Sequence, residues 1–388
     1  MNVTIHPRPL QGQIHIIPSK SQAHRDLICA AFAKGETALI CPQTNLDMDA
    51  TADCLNALGA RITKTEYGYH IEPIESIPGS ASLLCRESGS TLRFLLPIVG
   101  ALGVDGTFHL EGRLPQRPLS PLWEEMERMG CSLTRPTEST IRCCGKLKSG
   151  CYSIDGGISS QFITGLMFAL PLIEGESELK ILGKVESKPY IHMTQVAIDR
   201  FSYPNTSSPG NVTVEGDWSN GAFFLAANAL GSNLEIMGLD PHSPQGDRAA
   251  AHWIKALNDH HIIDCADIPD LVPILSIVAA ANEGAEFTNI RRLRLKESDR
   301  VDAVIQMITG LGGSASATDD RLVIHGTGLV GGTVDSMGDH RIAMAAAIGS
   351  ITCSETVTIL GADAVSKSYP LFWEEYGRLG GNYEQHLR

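Results

Sequence analysis

Basic side chains in several short polar segments suggest a site for an anionic substrate. Some of these segments stand directly before apolar runs that predict helices, and the first-turn N–H groups of a helix can receive an oxyanion. Guanidinium groups bind carboxylate and phosphate bidentately, whereas an ammonium group acts as a point charge. The candidate cations are Lys20, Arg25, Arg117, Lys296, Arg300, Arg341 and Lys367.

The first two segments each precede an apolar run. Pro-Ser-Lys-Ser-Gln-Ala-His-Arg at 18–25 stands before LICAAFA, and a serine there can cap the predicted helix while Lys20 and Arg25 add charge. Arg-Glu-Ser-Gly-Ser-Thr-Leu-Arg at 86–93 contains small residues that let a ligand approach the backbone at Gly89. The alternatives are a capped surface helix with solvated charges for the first segment and a tight turn before a helix for the second.

Three further segments offer hydrogen-bonding groups. Arg-Leu-Pro-Gln-Arg-Pro at 113–118 holds two arginines on a proline-braced loop, which suits a carboxylate or phosphate or is a plain surface loop. Ser-Ser-Gln at 159–161 precedes FITGLMFALPL and could bind phosphate oxygens or sugar hydroxyls, or cap a helix. Ser-Lys-Pro-Tyr at 187–190 combines a turn fixed by proline with the flat face and hydroxyl of Tyr190.

The densest basic patch is Arg-Arg-Leu-Arg-Leu-Lys-Glu-Ser-Asp-Arg at 291–300. On a helix, Lys296 and Arg300 would share a face, and this like-charge pair would cost stability unless an anion lay between them. Few candidate carboxylates accompany the cations, namely Glu297 and Asp270. This ratio favours phosphorylated, carboxylated substrates that bind without a metal.

The last polar segment, Gly-Asp-His-Arg at 338–341, precedes the apolar run IAMAAAIG and again suits an anion at a helix entrance. His340 could carry a proton, although a lone histidine is more often structural. Lys367 stands in VSKSYP, directly before another predicted helix.

Composition limits the classes of protein. The chain has 388 residues, enough for two or three domains, and a net charge of −13. An acidic surface repels nucleic acid and anionic membranes, so a bound anion needs a local basic cluster. The ten cysteines form no C-x-x-C pair, and no apolar run reaches about 18 residues. We therefore expect a cytoplasmic protein with reduced, mostly buried cysteines, without a signal peptide, a metal or a nucleotide cofactor.

A helical stripe followed by glycine and a short strand-like run recurs along the chain. Glycine at this place suits the left-handed residue that closes a helix. The spacing of about 70 residues between corresponding glycines predicts an α/β fold built from repeated helix–strand units. The glycines are Gly59, Gly130, Gly312 and Gly380, and the predicted strands include 106–110, 322–326 and 356–360.

In their order and content, these segments resemble the signature segments of the EPSP synthase family over essentially the whole chain. A single short string could match by chance, whereas all of the strings in the family's order are specific for the family. The strings are P-S-K-S-x-x-x-R at 18–25, E-S-G-S-T-L-R at 87–93, L-P-x-R-P at 114–118, S-S-Q at 159–161, S-K-P-Y at 187–190, E-G-D at 215–217, Q-G-D at 245–247, I-P-D at 268–270, R-x-K-E-S-D-R at 294–300, D-H-R at 339–341 and Lys367.

The resemblance implies the two-domain enolpyruvyl transferase fold, with three repeated helix–strand units around buried parallel helices in each domain. One domain would comprise residues 21–216, and the other would combine residues 1–20 with 217–388. The resemblance further implies an active site in the interdomain cleft, with domains that close on substrate. We expect a monomer that binds neither nucleic acid nor membranes.

The family transfers the enolpyruvyl (carboxyvinyl) group of phosphoenolpyruvate to the 5-hydroxyl of shikimate 3-phosphate, in the shikimate pathway to chorismate and the aromatic amino acids. It needs no cofactor. The residues implied for shikimate 3-phosphate are Lys20, Ser21, Arg25, Ser159, Ser160, Gln161, Ser187, Tyr190, Asp270 and Lys296. Those implied for phosphoenolpyruvate are Lys20, Gly89, Arg117, Gln161, Arg300, Arg341 and Lys367, with His340 in support.

The implied chemistry requires a base and an acid. Asp270 is the candidate base for the proton of the 5-hydroxyl, and Glu297 or Lys20 is the candidate acid that protonates the methylene carbon of phosphoenolpyruvate. A tetrahedral adduct would form and then expel phosphate.

Two residues depart from the family pattern, because many relatives carry asparagine at both positions. Glu87 would weaken anion binding beside the glycine segment or pair with a nearby arginine, and Arg292 leaves open what its position does for the shikimate phosphate. Two rival functions also stay open: enolpyruvyl transfer to UDP-N-acetylglucosamine, and non-catalytic anion binding by a protein of the same fold. The first should have a cysteine in the loop 111–122, which contains none.

Overall fold

The computed structural model describes residues 1–386, and over these residues the chain divides into two compact units. The central unit is Pro18–Val214, and the terminal unit combines Met1–Ile17 with the chain from Glu215 onward. Each unit has its own hydrophobic core, made of buried residues from that unit alone. No helix within residues 1–386 has the length and apolar character needed to cross a membrane.

Helices are spread over both units. In residues 1–386 they are α1 (Lys20–Ala31), α2 (Leu46–Ala57), α3 (Gly89–Leu102), α4 (Leu122–Arg128), α5 (Ser160–Ala169), α6 (Lys188–Phe201), α7 (Trp218–Ala229), α8 (Ala250–Ala256), α9 (Val272–Ala281), α10 (Arg300–Gly310), α11 (His340–Gly349) and α12 (Phe372–Arg378).

Short strands alternate with these helices. Over the same residues they are β1 (Asn2–His6), β2 (Gln11–His15), β3 (Thr37–Ile40), β4 (Arg61–Thr65), β5 (Gly68–Glu72), β6 (Ser80–Arg86), β7 (Asp105–Leu110), β8 (Cys131–Thr137), β9 (Thr140–Gly145), β10 (Cys151–Asp155), β11 (Glu178–Leu182), β12 (Asn211–Thr213), β13 (Asn233–Met237), β14 (His261–Asp264), β15 (Gly284–Thr288), β16 (Ser314–Ala317), β17 (Arg321–His325), β18 (Gly332–Asp335), β19 (Val357–Leu360) and β20 (Asn382–His386).

The same sheet pattern recurs in both units. Within the described residues, the central unit has the sheets β12-β3-β5-β4, β6-β7-β9-β8 and β10-β11, and the terminal unit has β18-β19-β1-β20, β14-β15-β17-β16 and β13-β2. In every four-stranded sheet the first pair is parallel and the other two pairs are antiparallel. The predicted α/β fold of repeated helix–strand units is confirmed.

The glycines predicted to close helices do so. Gly59, Gly130, Gly312 and Gly380 follow α2, α4, α10 and α12, and each has a positive φ, between 83° and 116°. Such a φ strains any residue with a Cβ, and it lets the chain leave the helix and enter the next strand. The three strands predicted at 106–110, 322–326 and 356–360 are present as β7, β17 and β19.

The innermost helices are apolar on every side, as expected of helices without a solvent-facing surface. α9 contains no charged residue, and nine of its ten residues are buried. α11 is buried along its whole length, so its polar first residues, His340 and Arg341, lie at the edge of the core. The core of the terminal unit therefore carries polar groups at the start of a buried helix.

Candidate active site

A buried arginine organises the polar cluster of the terminal unit. Arg300 is 1% exposed and is the first residue of α10, whose N-cap is Asp299. Its Nη1 donates to Asp270 Oδ1 at 2.8 Å, and its Nη2 donates to Glu297 Oε2 at 2.6 Å. Its Nε donates to Asp339 Oδ2 at 3.0 Å. Such charge-assisted bonds hold a guanidinium in a single orientation.

Asp270 is held by basic side chains on both of its oxygens. Besides Arg300, Oδ1 lies 3.2 Å from Lys296 Nζ, and Oδ2 lies 3.2 Å from Arg341 Nη2. Arg341 Nη1 also donates to the Asp270 carbonyl at 3.2 Å. Burial by itself would raise the pKa of Asp270, but Arg341, Lys296 and Arg300 hold that pKa well below its usual range.

Lys296 and Arg300 do not share a helix. Arg291–Leu295 form a short 3₁₀ helix, and Lys296 is extended, with φ −86° and ψ −159°. Asp299 then accepts a hydrogen bond from Asp302 N, so α10 begins only at Arg300. The two cations still approach each other, and the anion between them is the carboxylate of Asp270.

Asp339, which the sequence did not single out as a site residue, connects two of the predicted ones. Its Oδ1 caps α11 by accepting from Arg341 N at 2.9 Å, and its Oδ2 accepts from Ser298 Oγ at 3.0 Å and from Arg300. Burial alone would raise the pKa of Asp339, but Arg300 holds it below its usual value. Aspartate directly before an apolar helical run is an N-cap signal, and this signal could have found it.

Lys367 and His340 belong to the same region. Lys367 ends a 3₁₀ helix, Ala362–Lys367, and its Nζ donates to Gly338 O at 3.1 Å, next to Asp339. The side chain of His340 is 3% exposed, with Nδ1 4.0 Å from Asp339 Oδ1. The terminal unit thus gathers Asp270, Lys296, Glu297, Arg300, His340, Arg341 and Lys367 around the starts of α10 and α11.

Another carboxylate that the sequence analysis left without a role is Asp247, in the Q-G-D string. Ser219 Oγ, in the first turn of α7, donates to Asp247 Oδ2, and Oδ1 has no hydrogen-bond partner within residues 1–386. Burial, with a smaller effect from Asp270, raises the pKa of Asp247 to about 7. The expectation of few carboxylates near the cations is therefore wrong, because Asp339 and Asp247 join Asp270 and Glu297.

In the central unit, Arg25 joins the starts of α1 and α6, which carry some of the residues implied for shikimate 3-phosphate. Arg25 Nη1 donates to Ser21 O at 2.6 Å, and Nη2 donates to Tyr190 O at 2.9 Å. Ser187, directly before α6, is buried and left-handed with φ 54°. Lys20 opens α1 after its cap Ser19, and its Nζ lies 3.0 Å from Asp47 Oδ2.

A second group in the central unit joins the starts of α3 and α5. Gln161 accepts from Arg93 Nη1 at 2.7 Å and donates to Ser90 Oγ at 2.9 Å. Ser159 caps α5, which confirms the capping alternative, and Ser160 is buried in the first turn. A Cβ on Gly89 would lie 2.7 Å from Arg117 Nη1, so the guanidinium of Arg117 rests against the glycine segment.

A buried chain of hydrogen bonds supports these helix starts. His24 Nδ1 lies 2.7 Å from Thr51 Oγ1, which lies 2.7 Å from Thr91 Oγ1. Thr91 donates to Ser88 Oγ at 2.7 Å, and Ser88 caps α3. Burial, followed by Lys20 and Arg25, holds the pKa of His24 well below its usual value, so the imidazole is neutral. Sequence periodicity cannot reveal this network, because its members lie on different helices.

The two departures from the family pattern have local contacts. The carboxylate of Glu87 lies against Gly112, at the start of the loop that carries Arg117. Arg292 Nη2 donates to Ala266 O at 2.8 Å. Arg292 therefore contacts the backbone just before the turn that carries Asp270.

Sequence comparisons agree with the geometry. The family model described as EPSP synthase (3-phosphoshikimate 1-carboxyvinyltransferase) matches residues 5–376. A 3-phosphoshikimate 1-carboxyvinyltransferase of Clostridium kluyveri is 39% identical over 426 aligned positions, covering 99% of this chain and 98% of the relative. One from Clostridium beijerinckii is 37% identical, with 99% and 98% covered.

Solved structures show the same fold. An EPSP synthase from Acinetobacter baumannii superposes with a TM-score of 0.78 at 22% identity, covering 99% of this chain and all of the other. The enolpyruvyl transferase NikO from Streptomyces tendae superposes with a TM-score of 0.72 at 15% identity, covering 99% and 98%. Because the sequence identities are low, these structures establish the two-domain enolpyruvyl transferase fold and not the activity.

Proposed function

Since this chain belongs to the EPSP synthase family, we infer that its activity is that of a 3-phosphoshikimate 1-carboxyvinyltransferase. It transfers the enolpyruvyl group of phosphoenolpyruvate to the 5-hydroxyl of shikimate 3-phosphate and releases phosphate. This step lies on the shikimate pathway to chorismate and the aromatic amino acids. The observation that carries the assignment of roles is the cluster of cations and carboxylates at the starts of α10 and α11.

We propose that this cluster holds phosphoenolpyruvate. Arg300 and Arg341 present guanidinium nitrogens suited to a carboxylate or phosphate, and Lys367 adds a point charge beside Gly338. In the central unit, Arg117, the Gly89 backbone, Gln161 and Lys20 are proposed to contact the same substrate. The proximity of Arg117 to Gly89 supports this assignment.

Shikimate 3-phosphate is proposed to bind Lys20, Ser21, Arg25, Ser159, Ser160, Gln161, Ser187 and Tyr190, with Asp270 and Lys296 toward its reacting hydroxyl. The hydrogen bonds of Arg25 to Ser21 and Tyr190 support a common site for these residues, and Ser159 and Ser160 lie at the N-terminus of α5. A helix N-terminus favours a phosphate.

The proposed chemistry uses the carboxylates of the cluster. Asp270 takes the proton of the 5-hydroxyl, while Glu297 or Lys20 protonates the methylene carbon of phosphoenolpyruvate. The adjacent carbon becomes cationic, and the hydroxyl oxygen bonds to it to form a tetrahedral adduct. Loss of phosphate and of the added proton then restores the double bond in the product. The hydrogen bond from Arg300 fixes the position of the Glu297 carboxylate.

Four further expectations also become proposals. We propose that the central and terminal units are the two domains of the family and that both contribute residues to one reaction. We further propose that the protein acts as a monomer in the cytoplasm and needs no cofactor. Light scattering on the purified protein tests the oligomeric state, and activity after exhaustive chelation tests the cofactor.

The family match favours this function over its rivals. Enzymes that act on UDP-N-acetylglucosamine are expected to have a cysteine in the loop 111–122, which has none here. A non-catalytic role would not explain why Lys20, Asp270 and Glu297, the candidate acid and base residues, are all present.

The deciding experiment measures phosphate release from phosphoenolpyruvate. We expect release when shikimate 3-phosphate is present and none with UDP-N-acetylglucosamine or with phosphoenolpyruvate alone. Release that does not depend on shikimate 3-phosphate would contradict the proposed function. Replacing Asp270 by alanine should abolish most of the release, and Glu297→Gln should slow solvent deuterium incorporation at the methylene carbon.

A further inference from the structure

The carboxylate of Asp270 already occupies the positions where an anionic substrate would be recognised. Oδ1 contacts Arg300 Nη1 at 2.8 Å and Lys296 Nζ at 3.2 Å, while Oδ2 contacts Arg341 Nη2 at 3.2 Å. Both oxygens are thus engaged by cations, in the way that a bound carboxylate would be.

From this geometry we propose that Asp270 is an internal competitor of phosphoenolpyruvate, whose anionic groups must displace the Asp270 carboxylate from Arg341 and share Arg300 with it. The inference rests on the proposed function, because it takes Arg300 and Arg341 as ligands of phosphoenolpyruvate. It assigns Asp270 a role in substrate affinity in addition to its role as a base.

The charges of the cluster explain why competition is needed. Lys296, Arg300 and Arg341 are matched by the carboxylates of Asp270, Glu297 and Asp339, so these six side chains carry no net charge, and Lys367 adds one positive charge to the cluster. A substrate that carries both a carboxylate and a phosphate gains little from six side chains whose charges cancel. The substrate binds more strongly if an internal carboxylate gives up its contacts with the cations, because buried charges interact strongly.

Among these carboxylates, Asp270 is the one suited to move. Asp339 is anchored by Ser298 Oγ and by the N–H of Arg341 at the start of α11. Glu297 accepts a hydrogen bond from Nη2 of Arg300 at 2.6 Å, whereas the carboxylate 3.2 Å from Arg341 Nη2 is that of Asp270. Asp270 lies in the turn that precedes α9, where a side-chain rotation does not disturb a helix.

Displacement of the Asp270 carboxylate would also make the activity of this base depend on bound phosphoenolpyruvate. While Arg341, Lys296 and Arg300 surround it, Asp270 is a weak base, in agreement with the lowered pKa of its carboxyl. When the substrate's anionic groups neutralise those cations, the proton affinity of Asp270 rises. The 5-hydroxyl is then deprotonated only when phosphoenolpyruvate is present to react with it.

Asp270→Asn tests the competition, because asparagine keeps the shape of the side chain and removes its charge. Binding of phosphoenolpyruvate, and separately of inorganic phosphate, is measured by calorimetry. We expect the variant to bind phosphoenolpyruvate about tenfold more tightly than the wild type or better, although its turnover falls. The matched control is Asp302→Asn, which makes the same change in net charge at a side chain that is 58% exposed and pairs with Arg294.

Equal or weaker binding by folded Asp270→Asn than by Asp302→Asn would overturn the inference. A second measurement needs no variant: in a crystal of the wild type with phosphoenolpyruvate, the distance from Asp270 Oδ2 to Arg341 Nη2 should exceed hydrogen-bond length. An unchanged 3.2 Å contact beside a substrate bound to Arg341 would also refute it. Phosphate release by the wild type with both substrates tells separately whether the proposed function holds.

Discussion

Asp339 and Arg300 form a buried ion pair in which Nε lies 3.0 Å from Oδ2, with the two side chains 0% and 1% exposed. This pair, with a longer 3.4 Å contact from Nη2 to Asp339 Oδ1, fixes the plane of the guanidinium so that Nη1 donates to Asp270 and Nη2 also donates to Glu297. The pairing of Arg300 with Asp339 at the start of α10 therefore orients the residues proposed as base and acid.

Replacing Arg300 by methionine should destabilise the protein strongly. The change leaves the Asp339 carboxylate buried without its guanidinium partner, and breaking a buried pair in this way costs about 3–5 kcal/mol. Arg294→Met is the matched control, because Arg294 pairs with Asp299 and Asp302 near the surface, where such pairs contribute about 0–1 kcal/mol. Urea unfolding followed by circular dichroism measures both, and equal losses would contradict the role of Arg300.

Thr51→Val should uncouple the starts of α1 and α3. Valine keeps the shape of threonine but cannot bond to His24 or Thr91, each 2.7 Å from Thr51 Oγ1. We expect a loss of about 1–3 kcal/mol in the free energy of unfolding, since buried polar groups lose a partner. The control is Thr63→Val on the exposed face of β4. Equal midpoint urea concentrations for the two variants would contradict a stabilising role of the hydrogen-bond network.

Gly89→Ala should raise the KM for phosphoenolpyruvate more than the KM for shikimate 3-phosphate. The new Cβ would lie 2.7 Å from Arg117 Nη1, so the guanidinium must shift, while the backbone needs no left-handed conformation at this position. The fold should persist because the far end of a side chain can move. Steady-state kinetics with each substrate varied separately gives both KM values. An unchanged KM for phosphoenolpyruvate would contradict the proposal that Arg117 contacts this substrate.

Asp247→Asn should stabilise the protein increasingly as the pH rises from about 4 to about 7. The pKa of Asp247 is raised to about 7, so between about pH 4 and 7 the folded state keeps a proton that the unfolded state has lost. In the wild type, rising pH therefore removes stability through this range, on the order of 2–4 kcal/mol. The asparagine variant lacks this titration.

Urea unfolding of wild type, Asp247→Asn and the exposed control Asp259→Asn at several pH values measures the effect. The difference between Asp247→Asn and the wild type should grow up to about pH 7 and then level off. A difference that does not vary with pH would mean that Asp247 is already ionised in the folded protein.

Local sequence signals predicted much of the framework. Glycine after an amphipathic stripe identified the end of α10 at Gly312, where the backbone is left-handed, and Ser159 could be recognised as a cap. The order of the short polar strings identified the family. These features depend on a few neighbouring residues, which is why they could be read from the chain alone.

Other features depend on contacts between distant segments. The sequence left open whether Lys296 and Arg300 share a helix, and the structure places Lys296 outside it, because Asp299 caps α10 one residue before Arg300. Nothing near Asp247 in the chain indicates that it is buried beside Ser219, which lies 28 residues away. The sequence therefore identified the cations of the cluster but not the number of its carboxylates.

The crystal structure of a complex with phosphoenolpyruvate and shikimate 3-phosphate, prepared with Asp270→Asn to slow turnover, tests the central claim most directly. The account predicts anionic oxygens of phosphoenolpyruvate within hydrogen-bond distance of Arg300, Arg341 and Lys367, and the 5-hydroxyl of shikimate 3-phosphate beside residue 270. Substrates bound out of hydrogen-bond reach of Arg300, Arg341 and Lys367 would contradict it.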